Sequence, residues 1–204
     1  MPGTSPVAGV VLAAGSSSRM GRNKMLLPLE GETFVRRSVR AALSAGLSPV
    51  VVVLGHEAAK VERELADLSC LPVRNPDHSN GPGSSLRVGV AHVRDASALV
   101  LILADMPFVT AEMLGALVAR HRETGANLVA SRYGSVEAPP HLFSRALFDE
   151  LCEGPDDRCA KHVIKRYLGE ASVLSWPEES LQDVDRLEDY EQVVARLSPR
   201  GPVV

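Results

Sequence analysis

The 204-residue chain has only three cysteines, Cys70, Cys152 and Cys159, and none stands at the spacing of a metal knuckle. That count and spacing exclude a cysteine zinc site and a disulfide framework, and they read as core or bystander thiols in a reducing compartment. No apolar run approaches the roughly 20 residues a bilayer requires. The opening Met1-Pro2-Gly3-Thr4-Ser5-Pro6 lacks the basic start of a signal peptide. Both absences lead us to expect a cytoplasmic protein with no membrane partner. A basic excess is missing too: the net charge is −3, against a nucleic-acid partner, which would leave a basic footprint. Arg36, Arg37 and Arg40 come nearest to a cluster, but their spacing puts them on one solvated helix face.

What the chain has is an ordinary soluble composition, 45% hydrophobic and 23% charged. Its length suits one compact domain over residues 1–204, burying roughly two-thirds of the unfolded surface. Residues 7–13, 49–54 and 98–103 are short runs rich in Val, Ile and Leu, apolar on both faces. Central strands of a sheet covered on both sides read this way. Between and beyond them, residues 33–45, 57–68, 84–93 and 111–123 carry helical periodicity, with Ser84 and Thr110 as candidate N-caps. A further strand is expected at 126–130. The alternation predicts an α/β, Rossmann-like doubly wound fold: a mostly parallel sheet with helices on both faces. Residues 131–182 break the rhythm, and we expect an acceptor-binding excursion there. It begins with a turn-rich stretch over 133–140, followed by helices at 144–152 and 158–168 and a short strand near 171–174. Residues 187–197 are a last helix.

Four segments carry chemistry. The first is the strand ending at Leu12-Ala13, followed by Ala14-Gly15-Ser16-Ser17-Ser18-Arg19-Met20-Gly21-Arg22-Asn23-Lys24. Small side chains after a buried strand let backbone amides approach phosphate oxygens at the carboxyl edge of the sheet. Arg19 can fork onto a pyrophosphate, and Lys24 supplies a point charge. The loop is not a Walker A loop, because five residues separate Gly15 from Gly21 and Arg22 follows. The dinucleotide fingerprint GxGxxG is absent as well. In the second segment, Asp105 stands just past the strand at 98–103, where a carboxylate suits Mg²⁺ together with phosphate oxygens. The third, residues 75–86, is a glycine loop entering a helix, able to hold a base edge or ribose. His78 within it reads as a loop residue. The fourth is Asp183-Val184-Asp185, where alternation lets one carboxylate face inward. A capping role for Asp185 is equally open.

Together these residues resemble the MobA-like NTP-transferase family. Residues 12–24 match its LAAGxSxRMGxxK signature at every fixed position. Gly83-Ser84-Ser85-Leu86, Ala104-Asp105-Met106-Pro107 and residues 183–190 fall where its other motifs fall. Ala14 resembles the CTP-using, molybdenum cofactor cytidylyltransferase branch, whose loop reads LAAG rather than LAGG. The resemblance implies NMP transfer from an NTP, CTP by this branch, to a phosphorylated acceptor, a pterin, with a molybdoenzyme as candidate partner. It implies that Leu12, Ala13, Ala14, Gly15, Ser16, Gly83 and Ser84 touch the nucleotide and that Arg19 and Lys24 hold its phosphates. Mg²⁺ would be held by Asp105 with Asp185, Asp183 being the alternative, so Arg19, Lys24 and Asp105 are the expected catalytic groups. Two stretches depart from the branch: Ala138-Pro139-Pro140 replaces its Gly-His-Pro, and 156–161 has lost two glycines. Both lie on the acceptor side. A sugar-phosphate transferase would share the nucleotide half, and a non-catalytic nucleotide or cofactor chaperone would not need Lys24 and Asp105 together.

Overall fold

The computed structural model describes residues 6–15, 20–154, 156 and 159–197. Strand β1 (Val7–Ala13) is buried along its whole length and lies at the middle of an eight-stranded sheet. On one side of it come β4 (Val50–Leu54) and β5 (Leu71–Arg74); on the other come β6 (Ala98–Leu103), β9 (His141–Ser144), β7 (Leu128–Tyr133) and β10 (Ser172–Trp176), with β8 (Val136–Glu137) paired to β7. Strands β1, β4, β5 and β6 are mutually parallel, as are β7 and β10, and β9 runs against both β6 and β7. A small hairpin, β2 (Pro28–Leu29) with β3 (Glu32–Thr33), stands apart. The sheet is therefore mixed and mostly parallel, as expected.

The alternation of side chains along each strand builds two cores. On one face, Val11, Val52 and Val100 meet α1 (Phe34–Ser44), α2 (Ala58–Glu64) and α4 (Ala111–Thr124). On the other, Val10, Val53 and Leu101 meet α3 (Pro82–Ala91), α5 (Phe148–Glu153) and α6 (Lys161–Tyr167). Helix α3 sits so close to β1 that a Cβ on Gly89 would collide with Val10. A third, smaller cluster of Leu29, Phe34, Val184 and Val193 holds α7 (Leu187–Leu197) against the hairpin and the start of α1. No helix among the described residues is long and apolar enough to cross a membrane.

Three elements differ from the sequence expectations. Thr110 does cap α4, its hydroxyl accepting from the Met113 amide at 3.3 Å, but Ser84 does not cap α3. That helix starts earlier, with Gly81 as cap and Pro82 in the first turn, where a missing amide costs nothing. Strand β5 was obscured by Pro72, which the sheet tolerates because β5 is an edge. The segment 131–182 breaks the strand–helix rhythm inside the sheet: it supplies β9, the one strand reversed within the row, and β10 at its end.

Candidate active site

Strand order reverses at β1, with β4 on one side and β6 on the other, so the loops after β1 and β6 part there and open a crevice. Short backbone bonds fix its floor. The Ala104 amide donates to Leu12 O at 3.1 Å and the His56 amide to Ala14 O at 3.3 Å. Asn23 buttresses the loop from below, its side-chain oxygen capping the Met25 amide at 3.0 Å and its amide nitrogen donating to His56 O at 3.2 Å. The turn that follows, Lys24–Leu26, thereby presents Lys24 inward.

Lys24 is buried, and its ammonium donates to Asp105 Oδ2 at 2.5 Å and Asp185 Oδ1 at 2.9 Å. Burial alone would lower its pKa. The charges and hydrogen bonds of Asp105 and Asp185 outweigh that and hold it above the usual lysine value. Asp185 arrives from the far end of the chain. The Val184 amide donates to Asp105 O at 3.2 Å, docking residues 183–186 beside the β6 edge. The Asp189 carboxylate then accepts from the Asp185 and Arg186 amides at 3.0 and 2.8 Å, fixing the turn into α7. Asp183 is more exposed and does not bond to Lys24 in this arrangement. Its pKa is raised by partial desolvation and by the Asp105 charge.

A cavity of about 480 Å³ opens beside this cluster. Leu12, Ala14, Gly15, Lys24, Met25, Leu103 and Asp105 form one wall, and His78, Ser79, Gly81, Pro82 and Ser85 the other. Such a volume suits a nucleotide-sized ligand. Of the residues singled out in the sequence, Leu12, Ala14, Gly15, Lys24 and Asp105 are brought together here, with Asp185 bonded to Lys24. The Ala13 side chain points to the opposite face, into the α1 core. Gly83 and Ser84 stand behind the wall. The Gly83 amide donates to Asp156 O at 2.7 Å, and the Ser84 hydroxyl lies between Asn75, Asp77 and Gly81, so the cavity itself is met by the next residue, Ser85. Ser16 and Arg19 lie outside the described residues.

Several contributors carried too weak a signal in the sequence. Asn75 donates to both Ser84 and Ser85 hydroxyls, at 2.9 and 3.0 Å, and ties the third segment together. Gly55 has no room for a side chain: a Cβ there would lie 2.5 Å from Ala14 O and 2.6 Å from the His78 ring. A glycine after a valine-rich strand is the only trace such a contact leaves.

The carboxylates of Asp105 and Asp185 converge on a single cation, so the donor set fits a hard divalent ion that takes its remaining ligands from phosphate and water. No group of three or more potential His, Cys, Asp or Glu metal ligands occurs among the described residues.

A buried lysine between two carboxylates thus stands beside a nucleotide-sized cavity at the switch point of a mostly parallel sheet. Residues 9–171 match the MobA-like NTP transferase domain, and the chain belongs to that family. The purine catabolism protein PucB of Bacillus subtilis is 36% identical, aligned over 93% of this chain and 97% of that protein. The nicotine blue oxidoreductase of Paenarthrobacter nicotinovorans is 35% identical over 65% of each. Among solved structures, Rv0371c of Mycobacterium tuberculosis H37Rv superposes with a TM-score of 0.82 at 28% identity, covering 94% of this chain and 98% of that one. A manganese complex of Rv0371c superposes with a TM-score of 0.75 over 94% and 100% of the two chains.

Proposed function

We propose that this nucleotidyltransferase moves CMP from CTP onto a phosphorylated acceptor, a pterin of the molybdenum cofactor class, and releases pyrophosphate. Mg²⁺ is the cation, held by Asp105 and Asp185. The observation that carries the reading is Lys24 lying between two carboxylates at the rim of a nucleotide-sized cavity. A protein that only bound or chaperoned a nucleotide would have no need of that charge arrangement. The choice of CTP rests on Ala14, which lines the cavity next to Gly15 and matches the cytidylyltransferase loop. The manganese complex of Rv0371c supports a divalent cation in this fold.

The acceptor phosphate is already an anionic nucleophile, so no general base is required. The chain's work is to align it with the α-phosphorus and to neutralise charge on the leaving pyrophosphate. Amides of the loop after β1 receive phosphate oxygens, Lys24 offers its ammonium to them, and Arg19 joins by the motif resemblance. When bound, Mg²⁺ supplies further charge neutralisation at the triphosphate. Ser85, His78 and Pro82 wall the nucleoside half. The changed stretch Ala138-Pro139-Pro140, on the acceptor side, favours testing sugar-1-phosphates as the competing acceptor class.

The deciding experiment is a pyrophosphate-release assay with each NTP against molybdopterin and a panel of sugar-1-phosphates. CTP with molybdopterin is expected to give the highest kcat/KM. A preference for GTP would overturn the cytidylyl assignment, and a preference for a sugar phosphate would overturn the pterin. Absence of release from every pair would overturn transfer itself.

A further inference from the structure

We infer that Lys24 occupies the place of the divalent cation, so that cation and nucleoside triphosphate load onto this chain as a linked pair. The inference rests on the metal and nucleotide reading above and adds a binding rule to it. Its basis is geometric. One ammonium bonds both carboxylates that suit the ion, at 2.5 and 2.9 Å, from a buried side chain. An ion placed between Asp105 and Asp185 would therefore meet a resident positive charge at hydrogen-bond range.

Each ligand alone faces an opposing charge. A divalent cation arriving without nucleotide must displace the Lys24 ammonium from both carboxylates and sits beside its positive charge. A triphosphate arriving without the cation draws Lys24 toward its own oxygens, away from Asp105 and Asp185, and brings its own negative charge up to those two carboxylates. When both arrive, the lysine passes to the phosphates and the cation to the carboxylates, and every charge keeps a partner. The flexible four-carbon stem of lysine allows that exchange, whereas the rigid fork of arginine would not. Linkage is reciprocal, so whatever the triphosphate adds to cation affinity the cation adds to triphosphate affinity.

The test is a nucleotide-free Mn²⁺ titration of the full chain, followed by electron paramagnetic resonance and checked by calorimetry. Wild type is compared with Lys24→Met and Lys24→Gln. Lys24→Gln removes the charge but keeps a polar side chain with N–H donors, one atom shorter than lysine, so it remains informative if Lys24→Met folds poorly. Removing one unit charge at this range should tighten Mn²⁺ binding on the order of tenfold or more, and adding Asp185→Asn to either variant should abolish the gain. If Lys24→Gln binds Mn²⁺ no more tightly than wild type, Lys24 does not hold the cation's place and the inference fails. The titration uses no nucleotide, so its result is separate from whether CTP is the substrate.

Discussion

Lys24 stands in a glycine-serine loop, where the sequence leads us to expect that truncation removes little packing and leaves the fold intact. In the fold it is buried and neutralises Asp105 and Asp185, so Lys24→Ala should act twice. Turnover should fall by about 10²–10³, the scale set by removing a preorganised donor to developing charge. Stability should also fall, by about 1–2 kcal/mol, since two carboxylates are left facing each other; the figure is kept small because Asp185 is nearly half exposed. Chemical denaturation beside steady-state kinetics separates the two effects, and an unchanged denaturation midpoint would contradict the structural half. A second prediction at this scale concerns His141, which no reading of the sequence singles out. It is fully buried in β9, accepts the Ser131 amide on Nδ1 at 3.1 Å, and leaves Nε2 without a partner. Burial lowers its pKa to about 4. The unfolded chain therefore takes up a proton near pH 6.5 that the folded chain refuses until about pH 4. Its contribution is intact above pH 6.5 and drains away as the pH falls toward 4, on the order of 3 kcal/mol in all. His141→Asn keeps an acceptor for Ser131 but does not titrate. Its stability should vary less with pH across that window than wild type does, as urea melts at a series of pH values would show.

Elements were legible wherever a period ran long enough to count. Strands β1, β4 and β6 announce themselves as valine and leucine runs buried on both faces, and α1 and α4 by apolar stripes that now meet the core. The short strands were not legible, for identifiable reasons. His141-Leu142-Phe143-Ser144 follows two prolines and spans too few residues to show alternation, yet all four are buried. Leu71–Arg74 carries a proline that reads as a breaker until its edge position is known. The loop behind β4 was equally silent, and there a prediction follows. Gly55 admits no Cβ because Ala14 O and His78 press on it from both sides of the crevice. Gly55→Ala should leave the sheet intact but push apart the two walls, at the typical overpacking cost of about 1–3 kcal/mol. The signature would be a rise in nucleotide KM, with kcat toward a saturating substrate falling less. A KM equal to wild type would show that the His78 wall does not bear on the nucleotide.

At the scale of the whole molecule, the site is closed by the two ends of the sequence. Lys24 follows the first strand and Asp185 precedes the last helix, 161 residues on. Spacing along the chain could mark Asp183 and Asp185 as candidates, but only the docking of Val184 onto the Asp105 carbonyl selects which of them reaches Lys24. That docking depends on the third apolar cluster. Val184 and Val193 are fully buried against Leu29 and Phe34, Tyr190 meets the Phe34 ring edge-on at 6.1 Å, and its hydroxyl donates to Pro28 O at 2.7 Å. The two main cores on either side of the sheet hold no residue of α7. Loosening the third cluster should thus disturb the carboxylate pair before it disturbs the sheet. Val193→Ala removes two buried methyl groups, worth about 1–2 kcal/mol by area, and that loss falls on the local docking of α7 rather than on the global unfolding step. The expected outcome is a small shift in Tm together with faster proteolysis confined to residues 181–197. Nucleotide-dependent Mn²⁺ binding should weaken several-fold, as it should in Asp185→Asn and less so in Asp183→Asn. Equal effects of the two asparagine variants would mean that the whole segment, and not one carboxylate, contributes to the cation site. Val193→Ala with unchanged Mn²⁺ binding but lowered Tm would place α7 in the global fold alone.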